Sequence, residues 1–486
     1  MNTERIKIIF GLKIKALRTE QGLSLRELSK KTNIATSYLS EIESGKKYPK
    51  PEKLIRLAEA LETQYDTLVS LQLDKTLDPF AALINSDLIK TFPFHLFGIS
   101  AGDILGLFKN DPENAEAFLQ TFLQISHAYN MSLENFLFAA LRTYQRRHNN
   151  YFPDLENLAN LFVQQNGIAG ETPGFDQLKK ILEEKHAYTI EEQELARHPV
   201  LHTFRSIFRR KGLLSINGKL LPSQKTFILA REIGFLELAV KERPLTSSWI
   251  KVQSFGQLLN NFKASYFAGA LLMHQDLLAE GVKRLFSSNE WNSDAFIELL
   301  DQHQATPEML LYRFSQVLPG VFGLAHLFYL RFTNSEDRLS VKLTKELNMT
   351  KTLVPYGLGI NEHYCRRWLP LRLLKTIRHN NLSITTGAQR IQFVTSGARF
   401  LILSMARPLS LAKERESAIA IGILIDRKSQ SLIKFADNPS IPEEIVGETC
   451  ERCPLTDCSE RVVEGSIVNM QNKAKTREMA LHAFIQ

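Results

Sequence analysis

Four cysteines carry the most obvious chemistry in this chain. Cys450, Cys453 and Cys458 form a C-x2-C-x4-C run within nine residues, and the fourth, Cys365, stands in His363-Tyr364-Cys365-Arg366-Arg367-Trp368. Three thiolates at this spacing are able to converge on one metal centre, with Cys365 as the fourth donor. Structural zinc and an iron–sulfur cluster use the same four sulfurs, so the count admits both. A zinc ribbon usually carries two C-x2-C knuckles, whereas Cys365 is alone. Arg366, Arg367, Arg452 and Arg461 flank the thiolates, and cationic groups offset the negative charge of a cluster. The expected cofactor is an iron–sulfur cluster, [4Fe-4S] first, with zinc as the alternative. The plainer reading is a set of buried, reduced thiols.

A second stretch invites a metal test. Zincins carry H-E-x-x-H on a helix, two His ligands one turn apart with Glu as general base. In Gln224–Phe235, Arg231 and Phe235 stand where the His residues would be, and only Glu232 remains. The stretch resembles the active helix of the IrrE/ImmA metallopeptidase-like family, and Ala264–Met273 resembles that family's second conserved helix. The resemblance puts an acidic third ligand near Phe262, yet neither Asn261, Phe262 nor Lys263 is acidic. No catalytic residue is assigned and no enzyme is expected. Glu232 is expected to pair with Arg231 or Lys225 on its own helix.

These residues need elements to position them. Ser24-Leu25-Arg26-Glu27 is a capping box that opens a short helix ending near Thr32-Asn33. That helix puts Leu25 and Leu28 inward, with Ala35 just beyond. A second helix begins near Thr36 and runs to Ser44, stopped by Gly45. Leu39 and Ile42 face inward; Thr36, Ser37, Ser40 and Glu41 face outward. Ile9–Gln21 precedes the pair, with Leu12, Ala16 and Leu17 as its stripe, and Pro51–Leu61 follows. Two short helices wrapped by two more is the helix-turn-helix layout. The strings Gly22–Ser29 and Tyr38–Lys46 resemble the Cro/C1-type (Xre) family over about 60 residues. The resemblance implies that the second helix enters a major groove. Thr36, Ser37 and Ser40, with Tyr38, are then the base-reading candidates, and Arg26, Lys46, Lys47 and Lys50 meet phosphates. Residues 1–75 hold 14 Lys and Arg against 10 Asp and Glu, enough for a phosphate-facing rim.

Further along, helical periodicity marks Ala115–Tyr129, Leu133–Tyr144, Asp154–Gln165, Phe175–Lys185, Ser223–Val240 and Ser254–Glu280. Asn217-Gly218 between short apolar runs reads as a hairpin. Strand-like runs follow at Leu327–Thr333, Ile391–Val394, Arg399–Met405 and Ala418–Ile425. At 486 residues the chain is too long for one core. Its 44% hydrophobic and 23% charged content excludes a largely disordered chain. The net charge of +8 suits a polyanionic partner without requiring one. No apolar run spans a bilayer, and the first residues lack a signal-peptide core, so a cytoplasmic protein without a membrane partner is expected.

Leu311–Leu330, Gly357–Trp368 and Ile445–Val462, in this order after the helix-turn-helix, resemble the short-chain fatty-acyl transcriptional regulators. That resemblance implies an Xre domain, a degenerate IrrE/ImmA-like domain and a Cys-bearing C-terminal domain. It implies an acyl-CoA effector, control of acyl or carboxylate catabolism, and an iron–sulfur cluster in some members. Arg366 stands where that family often has Pro. The apolar slot for an acyl chain is expected along Phe262–Met273 and Phe314–Phe328. The overall expectation is a mainly α, α+β protein. An all-α DNA-binding domain occupies 1–70, a degenerate zincin-like sensor 80–290, and a mixed α/β domain with the four-cysteine site 300–486. A double-stranded DNA operator is the expected partner, read by a homodimer or higher assembly because such domains usually read paired half-sites.

Overall fold

The computed structural model describes residues 3–70 apart from 44 and 46, then 133–168, 172–209, 212–246, 252, 254–335, 340–352, 354–355 and 362–485. The expected helix Ala115–Tyr129 and Lys46 lie outside the described residues. Contacts divide the chain into two compact units, Met1–Tyr144 with Lys251–Leu258, and Gln145–Ile250 with Leu259–Gln486.

The first unit opens with five helices: α1 (Thr3–Glu20), α2 (Leu25–Thr32), α3 (Thr36–Glu43), α4 (Pro51–Ala60) and α5 (Tyr65–Val69). The capping box forms as expected: Glu27 N–H donates to Ser24 Oγ, and Ser24 N–H donates to the Glu27 carboxylate at 2.7 Å. Asn33 ends α2 in the left-handed region at φ 54°, which Asn tolerates. Ile34, not Ala35, then turns inward; Ala35 is exposed. The core is Phe10, Ile14, Leu28, Ile34, Leu39, Ile42, Leu54 and Leu57. Of the expected α1 stripe, Leu17 packs on this core beside Phe10 and Ile14, Ala16 is not part of it, and the Leu12 side chain lies outside the described residues. The short helix α5 escaped the sequence reading, since five residues show too little periodicity. It is tied back by the buried Lys13, which donates to Thr67 O at 2.9 Å and Ser70 O at 2.7 Å.

The remaining helices and strands begin with α6 (Leu133–Arg147), α7 (Pro153–Gln165), α8 (Phe175–His186), β1 (Thr189–Glu191), α9 (Glu194–Arg197), β2 (Ser206–Phe208), β3 (Leu213–Ile216), α10 (Pro222–Glu237) and α11 (Phe255–Leu272). Then come α12 (Gln275–Ser287), α13 (Ser293–Gln302), α14 (Pro307–Phe322), β4 (Leu327–Asn334), β5 (Val341–Asn348) and α15 (Leu369–His379). The chain closes with β6 (Thr385–Phe393), β7 (Arg399–Pro408), β8 (Glu416–Leu424), α16 (Arg427–Leu432), β9 (Glu443–Val446) and α17 (Ser466–Ile485). The α+β class holds. The hairpin at Asn217-Gly218 does not form. β3 pairs parallel with β1 and antiparallel with β2, and Asn217 leads into α10. Its side-chain amide donates to His202 O and Phe204 O, so it staples a loop. The expected helix Ser254–Glu280 is two, because His274 caps a new helix.

The larger sheet has the order β5-β4-β8-β7-β6-β9, antiparallel except for β6 with β9. Helices cover both faces. Leu327 and Tyr329 of β4 join the core with α12–α14, while Phe328, Leu330 and Phe332 join the one with α15. Burial on both faces is why β4, β7 and β8 read as unbroken apolar runs rather than alternating ones. β5 has one face toward solvent, and its charged residues hid it from a hydropathy reading. Among the described residues no helix is long and apolar enough to cross a membrane.

Candidate functional sites: a helix-turn-helix, a cysteine pocket and a cationic cavity

α3 is placed by packing on one side and by charge on the other. Leu39 and Ile42 are buried, whereas Thr36, Ser37 and Ser40 are exposed on the opposite face. Arg18 of α1 holds Glu43 at the end of α3 through Nε–Oε1 at 2.6 Å and Nη2–Oε2 at 3.0 Å. The exchange holds the Arg18 guanidinium above its ordinary pKa, chiefly through the Glu43 hydrogen bond. Gly11 lets α1 approach α3 closely: a Cβ there would sit 2.3 Å from Ile42 O. Tyr38 is half-buried, and Lys53 Nζ sits 4.0 Å from its ring centroid. Its ring is thus engaged with the rim. Arg26 and Lys47 are exposed, and Lys47 reaches Glu41 at 2.8 Å. A solvent-exposed pair of this kind is weak and yields readily to a phosphate.

The four cysteines, 85 residues apart at the closest between Cys365 and the run, line one pocket. A bridge between Tyr364 and Thr449 lays the Cys365 segment beside the cysteine loop. Cys450 N–H donates to His363 O at 2.7 Å, and Cys365 N–H to Glu448 O at 3.3 Å. Gly447 passes so close to the loop that a Cβ would stand 3.1 Å from Cys453 Sγ. The donor set, four thiols around one pocket, fits a thiolate-held metal centre in kind and number. Among the described residues, however, no three His, Cys, Asp or Glu side chains stand in an arrangement able to hold a metal ion. Burial pushes the Cys365 thiol up, against the backbone N–H groups of Gly447 and Arg367.

The flanking arginines mostly serve other partners. Arg461 donates to the carbonyls of Cys450 at 2.8 Å, Cys453 at 3.0 Å and Leu455, clamping the loop. Arg452 is paired with Glu362 at 2.6 Å, and Arg367 leans on Glu444. Arg366 lines the pocket and leaves its buried Nε without a hydrogen-bond acceptor.

Glu232 is buried, and of its two expected partners it takes Arg231, at ion-pair distance, with Arg243 as a closer one. Arg243 binds its Oε2, Tyr188 donates to the same carboxylate at 3.3 Å, and Arg231 stands 3.8 Å off. Lys225 pairs with Glu192 instead. The Arg243 guanidinium stacks 4.0 Å from the Phe208 ring centroid and 4.5 Å from Phe235. A fixed cation from the chain itself therefore occupies the neighbourhood of this carboxylate.

The second unit also contains a cavity of about 210 Å³ that sequence reading missed. The two stretches expected to form an apolar slot supply Ser265, Gly269, Met273 and Gln316, but the walls are cationic. Arg205, Arg231, Arg313, Arg331, Lys345 and Arg407 line it against a single carboxylate, Glu308. Glu308 accepts from Arg407 at 2.9 and 3.2 Å and stands 3.5 Å from Arg331. Burial disfavours its charge, yet Arg407 and Arg331 hold its pKa at about 2. Arg313 is neutralised by the buried Glu156, at 2.7 Å through both nitrogens. Among the described residues neither Arg205 nor Lys345 forms a salt bridge, and Glu308 acts on Arg205 only at longer range. Arg205 is exposed, and Arg331, Arg407 and Arg231 line the same cavity beside it. Tyr312, Tyr329, Phe227 and Met309 add apolar wall. The arrangement suits an anion with an apolar part.

Comparison with known proteins agrees at the N-terminus. Residues 14–68 match the Helix-turn-helix family (HTH_3). The HTH-type transcriptional repressor RghR of Bacillus subtilis (strain 168) is 38% identical over 61 residues, which are 12% of this chain. The chain spans 45% of that relative's length. A solved structure titled Mycobacterium tuberculosis transcriptional regulator overlaps 67% of this chain and 93% of its own, at 16% identity and a TM-score of 0.46.

Proposed function

We propose that this protein is a DNA-binding transcription regulator whose second unit senses a small anion. The observation that carries the DNA-binding half is the exposed Thr36-Ser37-Ser40 face on a helix held by buried Leu39, Ile42 and the Arg18–Glu43 pair. In this reading α3 enters a major groove, and Thr36, Ser37 and Ser40 meet base edges. Arg26, Lys46 and Lys47 meet phosphates. Paired half-sites call for a homodimer or higher assembly. Changing Thr36 and Ser37 to Ala is expected to relax sequence preference at constant salt slope. Changing Arg26 or Lys47 to Ala is expected to weaken all duplexes alike and flatten the log–log salt slope by about 1 each. Titration of the full chain on its own upstream DNA, against shuffled duplex, checks both. Equal affinity for the two duplexes at every salt would sink the reading.

The effector half rests on the cationic cavity. With the resemblance noted above, a short-chain acyl-CoA is the first candidate, since it joins phosphates to a small apolar group. Peptidase chemistry is not part of this reading, because Glu232 is held by Arg243 and lacks ligand partners. No three of the cysteines are arranged to hold a metal ion as they stand, but their number and shared pocket support a thiolate-held centre, an iron–sulfur cluster, [4Fe-4S], through Cys365, Cys450, Cys453 and Cys458, with zinc as the alternative. A cluster would supply electron transfer or a state that is lost on oxidation. The chain's own part is to hold the loop through Arg461 and to pack Gly447 against Cys453. Anaerobically purified protein is expected to carry iron and acid-labile sulfide, both lost in Cys453→Ser. One zinc and no iron would make the site a structural staple.

A further inference from the structure

The last helix carries an apolar line in full view of solvent. Among the described residues, none of those in α17 (Ser466–Ile485) is buried. Met470 is 65% exposed, Leu481 59% and Phe484 89%. The helix is nonetheless fastened at its start, where Ile467 N–H and Val468 N–H donate to Glu451 O at 3.1 and 3.2 Å. Helices draw most of their stability from what their apolar face packs against, so this face calls for an occupant.

The spacing along α17 suits a second copy of itself. Ile467, Ala474 and Leu481 recur every seven residues, and Met470, Arg477 and Phe484 recur on the same step, three residues further on. Alternate steps of three and four make the seam of a two-stranded coiled coil. The two edges of this seam differ in charge: Lys473 lies on one, Glu478 on the other. In a parallel pair, one edge of each helix meets the opposite edge of its partner, and a residue there reaches the one five places on. Lys473 and Glu478 are five places apart. An antiparallel pair would lay the two Lys473 edges together and lose this match. Arg477 interrupts the seam, which weakens the pair; its stem covers apolar neighbours while its guanidinium turns toward the same Glu478 edge. Met479 lies off the line and is a single exposed apolar side chain, which needs no partner.

We propose that α17 is a dimerisation helix that packs in parallel against α17 of a second copy. Ile467, Met470, Ala474, Leu481 and Phe484 form the seam, and Lys473 of each copy meets Glu478 of the other. This rests on the reading that the DNA-binding domains act in pairs, and adds the surface that pairs them. Two copies related by a two-fold axis present the same patch to each other, so one self-complementary stripe is enough. A seam of about three heptads falls short of the roughly 800 Å² per partner of a standard stable interface. The pair therefore forms and separates with protein concentration.

Sedimentation velocity on the full chain is expected to show a monomer–dimer exchange. Leu481→Asp is expected to raise the dimer dissociation constant at least about a hundredfold, since a seam leucine is lost twice. Leu481 is exposed in the single chain, so the melting temperature of the second unit is expected to stay unchanged, which separates lost pairing from lost folding. Glu478→Lys and Lys473→Glu are each expected to raise the constant about tenfold, by setting like charges across both edges. Mixed in equal amounts, the two charge variants are expected to recover a dimer as tight as that of the unchanged chain, because only the mixed pair has opposite charges at both places. A dimer undiminished in Leu481→Asp, or charge variants that pair no better mixed than alone, overturns the proposal and leaves the paired half-site reading standing. So does an unchanged chain that stays monomeric at its highest soluble concentration; if that monomer also occupies a single half-site on its own DNA, both readings fall. A monomer whose affinity for phosphatidylglycerol vesicles drops in Leu481→Asp gives the helix to a membrane surface and overturns the proposal as well.

Discussion

Glu156→Leu is expected to destabilise the second unit by about 3–5 kcal/mol, because it strands a charged guanidinium in the interior. Arg313 is 1% exposed, and Glu156 accounts for two of its short hydrogen bonds. The Tyr266 hydroxyl, which donates to the same carboxylate at 2.6 Å, also loses its acceptor. The other contacts of Arg313, to Met273 O at 3.0 Å and Gln316 Oε1 at 2.9 Å, are neutral and cannot replace the charge. Since whole domains are stable by only about 5–15 kcal/mol, thermal unfolding followed by circular dichroism is expected to show a large downward shift. The double change Glu156→Leu with Arg313→Met is expected to recover much of it, because a buried pair replaced whole by apolar groups is often neutral. Equal destabilisation by the single and double changes would show that the cost is packing. Arg313 and Gln316 both line the cationic cavity, so anion binding is expected to fail in the single variant before the unit melts.

Gly11→Val is expected to abolish DNA binding without any change at a DNA-facing residue. The helix α1 backbone meets Ile42 O where a side chain would begin, at 2.3 Å from an ideal Cβ. A carbonyl in the last turn of α3 cannot move aside without disturbing the helix. Overpacking of this kind costs about 1–3 kcal/mol and sometimes more, and a domain of this size has little to lose. The Arg18–Glu43 pair, which spans the same two helices, would be pulled apart with it. Gel retardation is expected to show no shifted duplex, and limited proteolysis to remove the first 70 residues or so while the rest resists. A variant that keeps both its DNA affinity and its protease resistance would mean that α1 has room to slide.

Local chemistry was the legible part of this protein. Ser24, Glu27 and Asn33 mark helix boundaries by hydrogen bonds and backbone conformations that involve only near neighbours, and these formed where expected. Cys450, Cys453 and Cys458 share a loop because their spacing leaves little choice, and Cys365 joins them at one pocket. The arginines around that pocket were legible as residues but not as roles. Arg461 binds backbone carbonyls and Arg452 binds Glu362, and both facts depend on the path of the loop. Glu232 shows the same limit: Arg231, its neighbour on the helix, stands at ion-pair distance as expected, but its closest partner is Arg243, from the segment beyond the helix.

By itself the sequence determined the helix-turn-helix, the cysteine motif and the loss of zinc ligands, since each depends on residues within a few turns of one another. The cationic cavity was decided by tertiary structure alone. Its six basic residues run from Arg205 to Arg407, and each, taken singly, reads as an ordinary solvated charge. Strand register puts Lys345 opposite Arg331, and α14 brings Glu308 to two of the arginines. The reason is electrostatic: like charges are crowded there by long-range packing, and no periodicity along the chain records which distant charges a fold will force together.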